Sequence, residues 1–291
     1  MKTIAVTGGS GFVGKRFLQY DKDRYHLRSI ELRAVNPVHI DMNGVDTVVH
    51  LAGKAHQTKA VDDKLYFDVN FELTRALAVR AKEQGVAHFI YISSTKVYGD
   101  DIQTMLSEQS PCRPSDAYGA SKLKAEEYLR AMASPGFAVS IIRPPLVYGP
   151  GVKGNMIRLL GLAAKHYPLP FGNIQNSRSI VFLDNLIELI NAIIDKKPSG
   201  IFIAGDREPL PTSRLIMLIR KELGNCYPLL SIPQLLRVLL RRIKPGLHLR
   251  LFGSFVVDTT HTNKQLEFVP PFSTEEGIKK MVHWYLGNNK N

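Results

Sequence analysis

Residues 3–14 read Thr3-Ile4-Ala5-Val6-Thr7-Gly8-Gly9-Ser10-Gly11-Phe12-Val13-Gly14, and this stretch decides the fold. Thr3–Thr7 is a β-branched run of strand length. It stops at glycines, and Phe12–Tyr20 then has helical potential. Gly8, Gly11 and Gly14 stand three apart between the strand and the helix. Glycine permits a tight turn, lets backbone amides approach a pyrophosphate, and lets helix and strand pack closely. The helix start would face phosphates with the positive end of its dipole. A glycine triplet alone is a weak signal. Placed directly after an N-terminal strand, it reads as a dinucleotide-binding loop, with Phe12 and Val13 as part of it. Glu31 follows about 20 residues later, where a carboxylate accepts bonds from the adenosine ribose and repels a 2′-phosphate. That favours NAD. Arg33, two residues on, offers the alternative of holding a 2′-phosphate, and with it NADP.

Working outward, Tyr25–Leu32 and Asp46–Leu51 read as strands and Tyr66–Gln84 as a long helix stopped by Gly85. Phe89–Ser93 is a strand, Ala117–Ala133 a helix and Ala138–Arg143 a strand. Strand–helix alternation implies the α/β class, a Rossmann-type doubly wound parallel sheet with helices on both faces. Only nine residues separate Glu31 from Asp41, so the usual crossover helix there is expected to be missing or reduced to a turn. After Tyr148-Gly149-Pro150-Gly151 the pattern loosens. Residues 1–150 are read as the dinucleotide-binding domain. Residues 151–291 are read as a smaller, mostly helical substrate-binding part, with about 176–195 packing back on the first.

The chain has 291 residues, 44% hydrophobic and 22% charged, which is ordinary for a globular protein and excludes disorder or low complexity. Two cysteines, Cys112 and Cys226, exclude a disulfide framework and fit a reducing compartment. The nine histidines show no metal-ligand spacing, so no metal is expected. His50, inside an apolar strand, reads as a core residue. No signal peptide and no apolar stretch of membrane-spanning length is seen, so a cytoplasmic location is expected. The formal net charge is +12. It is uneven: no acidic residue stands between Gly224 and Val257, where Arg237, Arg241, Arg242, Lys244 and Arg250 crowd together. The 237–250 segment reads as a solvated basic helix beside substrate phosphates or as a peripheral membrane contact. Nucleic acid is not expected, because no nucleic-acid motif accompanies the charge.

Tyr118-Gly119-Ala120-Ser121-Lys122 puts a phenol and an ammonium four apart, on one face of a helix. Lys122 can stabilise the phenolate, which suits Tyr118 to general acid–base work. Ser94 stands at the end of an expected strand, on the carboxyl edge where such sheets hold ligands.

These residues sit within a set of motifs: TGGSGFVG (7–14), DTVVHLAG (46–53), Asn70 in DVNFELT, SSTKVYGD (93–100), YGASK (118–122), RPPLVYGPG (143–151) and RSIVFLDNL (178–186). On them the chain resembles the extended short-chain dehydrogenases/reductases of the NAD-dependent sugar epimerase/dehydratase family over almost its whole length. The resemblance implies that Gly8, Gly11 and Gly14 hold the pyrophosphate, that Asp41 contacts the adenine after a third strand, and that Ala52 and Gly53 line the cofactor. Ser94, Tyr118 and Lys122 would be catalytic, the last two also touching the cofactor, and Asn70 would order the active-site helix. The backbone at Leu146 and Val147 would meet the nicotinamide amide. Asn155 and Arg178 resemble positions that bind the phosphates of a UDP-sugar, Phe171 could stack near the nucleobase, and Thr95 and Lys96 beside the catalytic serine could meet the substrate. Helices Tyr66–Gln84 and Ala117–Ala133 resemble those that pair in family homodimers.

Dehydratases of the family carry an acidic pair directly after the catalytic serine, whereas here Thr95 and Lys96 stand there. Two readings at sugar C4 remain. SSTKV (93–97), GPGVKGN (149–155), LPFGNI (169–174) and NSRS (176–179) look most like NAD(P)H-dependent reductases of UDP-4-keto-6-deoxy-N-acetylhexosamines, which serve surface polysaccharides. Tyr98-Gly99 is the form seen in UDP-hexose 4-epimerases with bound NAD. A non-catalytic dinucleotide-binding scaffold is disfavoured by the intact Tyr118 and Lys122.

Overall fold

The computed structural model describes residues 1–32, 37–55, 62–100 and 104–288. Eight strands are present among them: β1 (Thr3–Thr7), β2 (His26–Ile30), β3 (Thr47–His50), β4 (His88–Ile92), β5 (Ala138–Arg143), β6 (Leu146–Tyr148), β7 (Ile180–Phe182) and β8 (Gly200–Ile203). Six form one parallel sheet in the order β2-β1-β3-β4-β5-β8, and β6 and β7 pair separately. In register, Val6 lies beside Val49 and Val49 beside Ile90.

Alternate side chains leave a strand on opposite faces, and here both faces are buried. Ile4, Val6, Val49, Ile90 and Ile142 pack under the helix Leu183–Lys196. Ala5, Val48, Phe89, Tyr91 and Ile141 pack under the helices Leu73–Glu83 and Ala117–Met132. The strand runs are apolar without alternation because neither face meets water. A second core gathers Tyr148, Phe182 and the helices Asn155–Ala163, Thr212–Glu222 and Thr274–Asn288. The chain re-enters the main layer late, with Leu183–Lys196 and β8, so the sheet draws on residues beyond 150. No helix among the described residues is long and apolar enough to cross a membrane.

The short connection after β2 holds only a 3₁₀ turn, Pro37–His39, among its described residues. β2 is therefore the edge of the sheet, and its residues are half-buried or exposed where β3 is wholly buried.

Two buried histidines make acid stability predictable. His50 bridges Thr7 Oγ1 (2.6 Å) and Thr74 Oγ1 (2.8 Å), and His88 pairs with Ser140 Oγ at 2.8 Å. Burial pulls both imidazoles down to about 3, while it pushes the Asp21 carboxyl up to about 6. Near pH 5 the unfolded chain therefore gains two protons at the histidines and loses one at Asp21. From these three groups the net uptake of about one proton lowers stability by about 1.4 kcal/mol per pH unit on acidification from about 6 to 4. Urea titrations at both ends measure this, and His88→Gln should lower the slope by about 1.4 kcal/mol per pH unit. An unchanged slope in that variant contradicts the assignment.

Candidate active site

The chain runs from β1 outward to β2 and then returns past β1 to β3, so the strand order reverses between β1 and β3. The crevice at their carboxyl ends is where open α/β sheets hold ligands. Gly8 ends β1 with φ +73°, and a Cβ there would lie 2.5 Å from Ala52 N at the end of β3. A Cβ on Gly14 would lie 2.1 Å from Gly8 O. The helix Phe12–Tyr20 starts at Gly11, which caps it with no side-chain bond, and its first turn holds no acid. Among the described residues no side chain caps its leading amides, which aim their dipole at the crevice, and this fits a pyrophosphate. Phe12 and Val13 are half-buried and pack on the second core. Gly14→Ala should abolish dinucleotide binding, because the alanine methyl must push helix and loop apart. Quenching of protein fluorescence by NADH measures this, and wild-type affinity contradicts the close approach.

Further along the crevice, Ala52 is half-buried and Gly53 exposed, and β6 presents Leu146, exposed, and Val147, half-buried. Glu31 is exposed just past β2. The third strand expected before Asp41 is absent from the described residues, since the chain is too short there and makes the 3₁₀ turn instead. The Asp41 carboxylate is exposed and accepts from Asn43 N at 3.0 Å. Arg33 lies outside the described residues.

At the deep end, Tyr118 and Lys122 ride the helix Ala117–Met132 one turn apart. Asp116 caps that helix, accepting from Gly119 N at 2.7 Å. Lys122 is buried, donates to Ile92 O at 2.8 Å, and lies 4.5 Å from the centre of the Tyr91 ring. Burial pulls its ammonium down to about 7, and Glu126 works in the other direction. Burial pushes the Tyr118 phenol up, opposed by the hydrogen bond with Ser94. Ser94 opens the 3₁₀ turn Thr95–Tyr98 after β4, and its hydroxyl also accepts from Lys96 N at 3.2 Å. Ser94, Tyr118 and Lys122 therefore converge at the carboxyl end of β4.

Asn70 ties the site together. Its Nδ2 donates to Ser121 Oγ (3.1 Å) and Lys54 O (3.2 Å), and its Oδ1 accepts from Lys54 N at 2.8 Å. A Cβ on Gly53 would lie 3.0 Å from that Oδ1 and 3.2 Å from Lys122 Nζ, so glycine is the residue that fits. Asn70 sits in a π-helical turn, Asp68–Glu72, inside the helix that began at Asp63. Such turns re-aim side chains at functional sites. The freed Asn70 carbonyl accepts from Tyr91 OH at 3.2 Å and Thr74 Oγ1 at 2.8 Å.

The substrate-side candidates divide. Thr95 is buried, with its amide bonded to Pro144 O at 3.1 Å. Lys96 is ion-paired with Asp100 and with Asp116 Oδ2 (3.5 Å), so its charge is already balanced. Asn155 is exposed at the first turn of the helix Asn155–Ala163. Phe171 is not free to stack on a base: it is buried in the second core, because the segment around it is pinned by Leu169–Leu229 pairing. Arg178 is half-buried and donates to Gly253 O at 3.1 Å, burial lowering its pKa.

Sequence reading missed three contributors. Tyr91, inside the strand read as Phe89–Ser93, supports both Lys122 and Asn70. Tyr66 presents its edge to the Tyr118 ring at 6.0 Å. Asp116 caps the helix and pairs with Lys96; an acid two residues before Tyr118 was the legible signal.

The sequence profile described as the NAD dependent epimerase/dehydratase family matches residues 4–205. A UDP-glucose 4-epimerase of Vibrio cholerae is 34% identical over 320 aligned positions, which cover 99% of this chain and 97% of the relative. An N-acetyl-alpha-D-glucosaminyl-diphospho-ditrans,octacis-undecaprenol 4-epimerase of Escherichia coli O157:H7 is 28% identical over 79% of this chain and 75% of its own. Among solved structures, the UDP-glucuronic acid 4-epimerase of Bacillus cereus in complex with NAD superposes with a TM-score of 0.79 at 19% identity, covering 99% of this chain and all of that one. That last likeness concerns the fold. The crevice at β1/β3, the Ser94–Tyr118–Lys122 cluster and the profile match through both halves of the main sheet agree: this chain belongs to the NAD dependent epimerase/dehydratase family.

Proposed function

We propose that the protein reduces the C4 ketone of a UDP-4-keto-6-deoxy-N-acetylhexosamine with an exchangeable nicotinamide dinucleotide. The dinucleotide, when bound, supplies the hydride. Tyr118 delivers its phenolic proton to the C4 oxygen, which becomes the hydroxyl. Ser94 bonds the same oxygen and holds it in line with the phenol. Lys122, fixed by Ile92 O, stabilises the phenolate that remains until solvent returns the proton. The leading amides of Phe12–Tyr20 bind the pyrophosphate, and Leu146 and Val147 present backbone to the nicotinamide end.

The observation that supports exchange is the truncated sheet edge. Beyond β2 the described chain makes one 3₁₀ turn, and Glu31 and Asp41 are both exposed. An adenosine half bound there is open to water on that side and can leave between turnovers. The sugar class rests on the motif combination in residues 93–97, 149–155, 169–174 and 176–179. Water elimination is disfavoured because Thr95 and Lys96 replace the carboxylate pair, and Lys96 is itself held by Asp100 and Asp116.

A 4-epimerase is the second reading, favoured by the Vibrio cholerae relative that aligns along the whole chain. The two differ in what the purified protein carries. Exchange predicts much less than one dinucleotide per chain in the supernatant after denaturation. One NAD per chain, retained through gel filtration, overturns exchange in favour of the epimerase.

A further inference from the structure

Among the described residues, the helix Gln234–Ile243 (QLLRVLLRRI) contributes no side chain to the main cores, and the helix Pro245–Phe252 that follows rests on the second core only through Leu251 and Phe252 at its end. Leu235, Val238, Leu239 and Ile243 are 79%, 52%, 49% and 66% exposed. At helical spacing these four share one side of the first helix. Large aliphatics in such numbers on one exposed face are unusual for a monomeric soluble surface. The opposite side holds the helix to the protein: Arg237 is half-buried and stacks over the Phe252 ring at 4.7 Å. Arg241 and Lys244 are exposed beside the apolar side, and Arg242, also exposed, stands within it, one turn from Val238 and Leu239.

We propose that this helical pair docks on the surface of an anionic lipid bilayer. The charge selects that occupant. No acidic residue interrupts Gly224–Val257, so a second copy seated on this face would bring cation against cation. A nucleic acid would match the charge and leave four aliphatic side chains in water. A bilayer surface satisfies both halves: acyl chains take the aliphatics, and anionic headgroups meet the basic residues, whose long stems let the charged ends rise from the apolar side.

Position gives the contact a consequence for the site. Leu230 N donates to Leu169 O at 2.7 Å, Gly172 N donates to Leu230 O at 2.8 Å, and Asn176 Nδ2 donates to Gly253 O at 2.9 Å. The segment from Leu169 to Arg178 is thus bonded to both flanks of the helical pair. A cavity of about 210 Å³, lined in part by Asn173, Asn176, Arg237 and Phe252, lies between them. Docking would hold this side of the molecule at the headgroup level.

The test is co-sedimentation of the full chain with vesicles of phosphatidylcholine alone and of phosphatidylcholine mixed with phosphatidylglycerol. The mixed vesicles should bind about tenfold more protein, and added salt should remove most of the difference. Leu235→Glu/Leu239→Glu should abolish binding with an unchanged circular dichroism spectrum. Arg241→Gln/Arg242→Gln, on exposed positions that leave the four aliphatics in place, should reduce binding to the mixed vesicles. Equal binding to both vesicle types, no binding to either, or full binding by the double glutamate variant overturns the proposal. So does light scattering in which the double glutamate variant halves the particle mass of a wild type that ignores vesicles, which would assign the face to a second copy.

Discussion

Tyr118→Phe should lower kcat by about a thousandfold, the middle of the range for a positioned general acid. Nothing else about the protein should change much. The substitution removes one oxygen and keeps the ring, its edge contact with Tyr66, and the helix beneath it. In the proposed reaction the lost oxygen carries the proton that is transferred to the C4 oxygen, so the ketone would have to wait for water. Burial already raises the phenol, which keeps it protonated and ready to donate; the Ser94 hydrogen bond opposes that rise and steadies the phenolate after transfer. Dinucleotide affinity and the melting temperature should stay near wild type, because the pyrophosphate amides and the main cores are remote from this oxygen. Steady-state rates beside an NADH binding curve separate these effects. A variant that keeps a tenth or more of wild-type kcat would remove Tyr118 from the proton-transfer role.

Glu126→Ala is expected to destabilise the protein strongly. Arg143 ends β5, and its Nε sits 3.1 Å from each Glu126 oxygen, both side chains being almost fully buried. Its Nη1 donates to Tyr98 OH at 2.8 Å, and that hydroxyl donates to Ser107 O at 2.8 Å. Removing the carboxylate leaves a guanidinium in the interior with one neutral partner. Such orphaned charges cost about 3–5 kcal/mol, which at this chain length lowers the melting temperature by about 10 °C. The loss should reach the site. Pro144 O, next to Arg143, accepts from Thr95 N, and Tyr98 closes the same 3₁₀ turn that Ser94 opens. Arg143→Met/Glu126→Met should recover much of the stability, since the pair gives back most of its attraction in desolvation. If Glu126→Ala melts within about 2 °C of wild type, water is reaching the guanidinium and the pair is not load-critical.

The same pair shows what the sequence could and could not reveal. Five of the six sheet strands were legible: the four inner ones because both faces of the sheet are covered there, so each appears as a short apolar run, whereas the edge strand β2, HLRSI, is half-buried or exposed. Ala138–Arg143 is found with the expected ends, and β3 and β4 lie within a residue of them. β8 was not legible: Gly-Ile-Phe-Ile at 200–203 is four residues behind Pro198, and only its place beside β5 makes it a strand. The candidate catalytic cluster could be read because Tyr118 and Lys122 are fixed by helical spacing, a local property. Partnerships across the chain left no such trace. The Lys96–Asp116 pair joins residues twenty apart that only the fold brings together, and the sequence left Phe171 open between stacking on a base and the core until Leu229 closed the segment. The π turn at Asp68–Glu72 hides inside an ordinary helical pattern, since one extra residue in a turn does not disturb the apolar periodicity enough to register.

Reduction at C4 with an exchangeable cofactor is tested most directly by mixing purified protein with NADH and a UDP-4-keto-6-deoxy-N-acetylhexosamine and following absorbance at the reduced nicotinamide band. The proposed reaction predicts loss of NADH equal, mole for mole, to the ketone added, and none with Tyr118→Phe on the same timescale. No loss of NADH with the wild-type protein, together with interconversion of UDP-hexose C4 epimers in the absence of added cofactor, would contradict it.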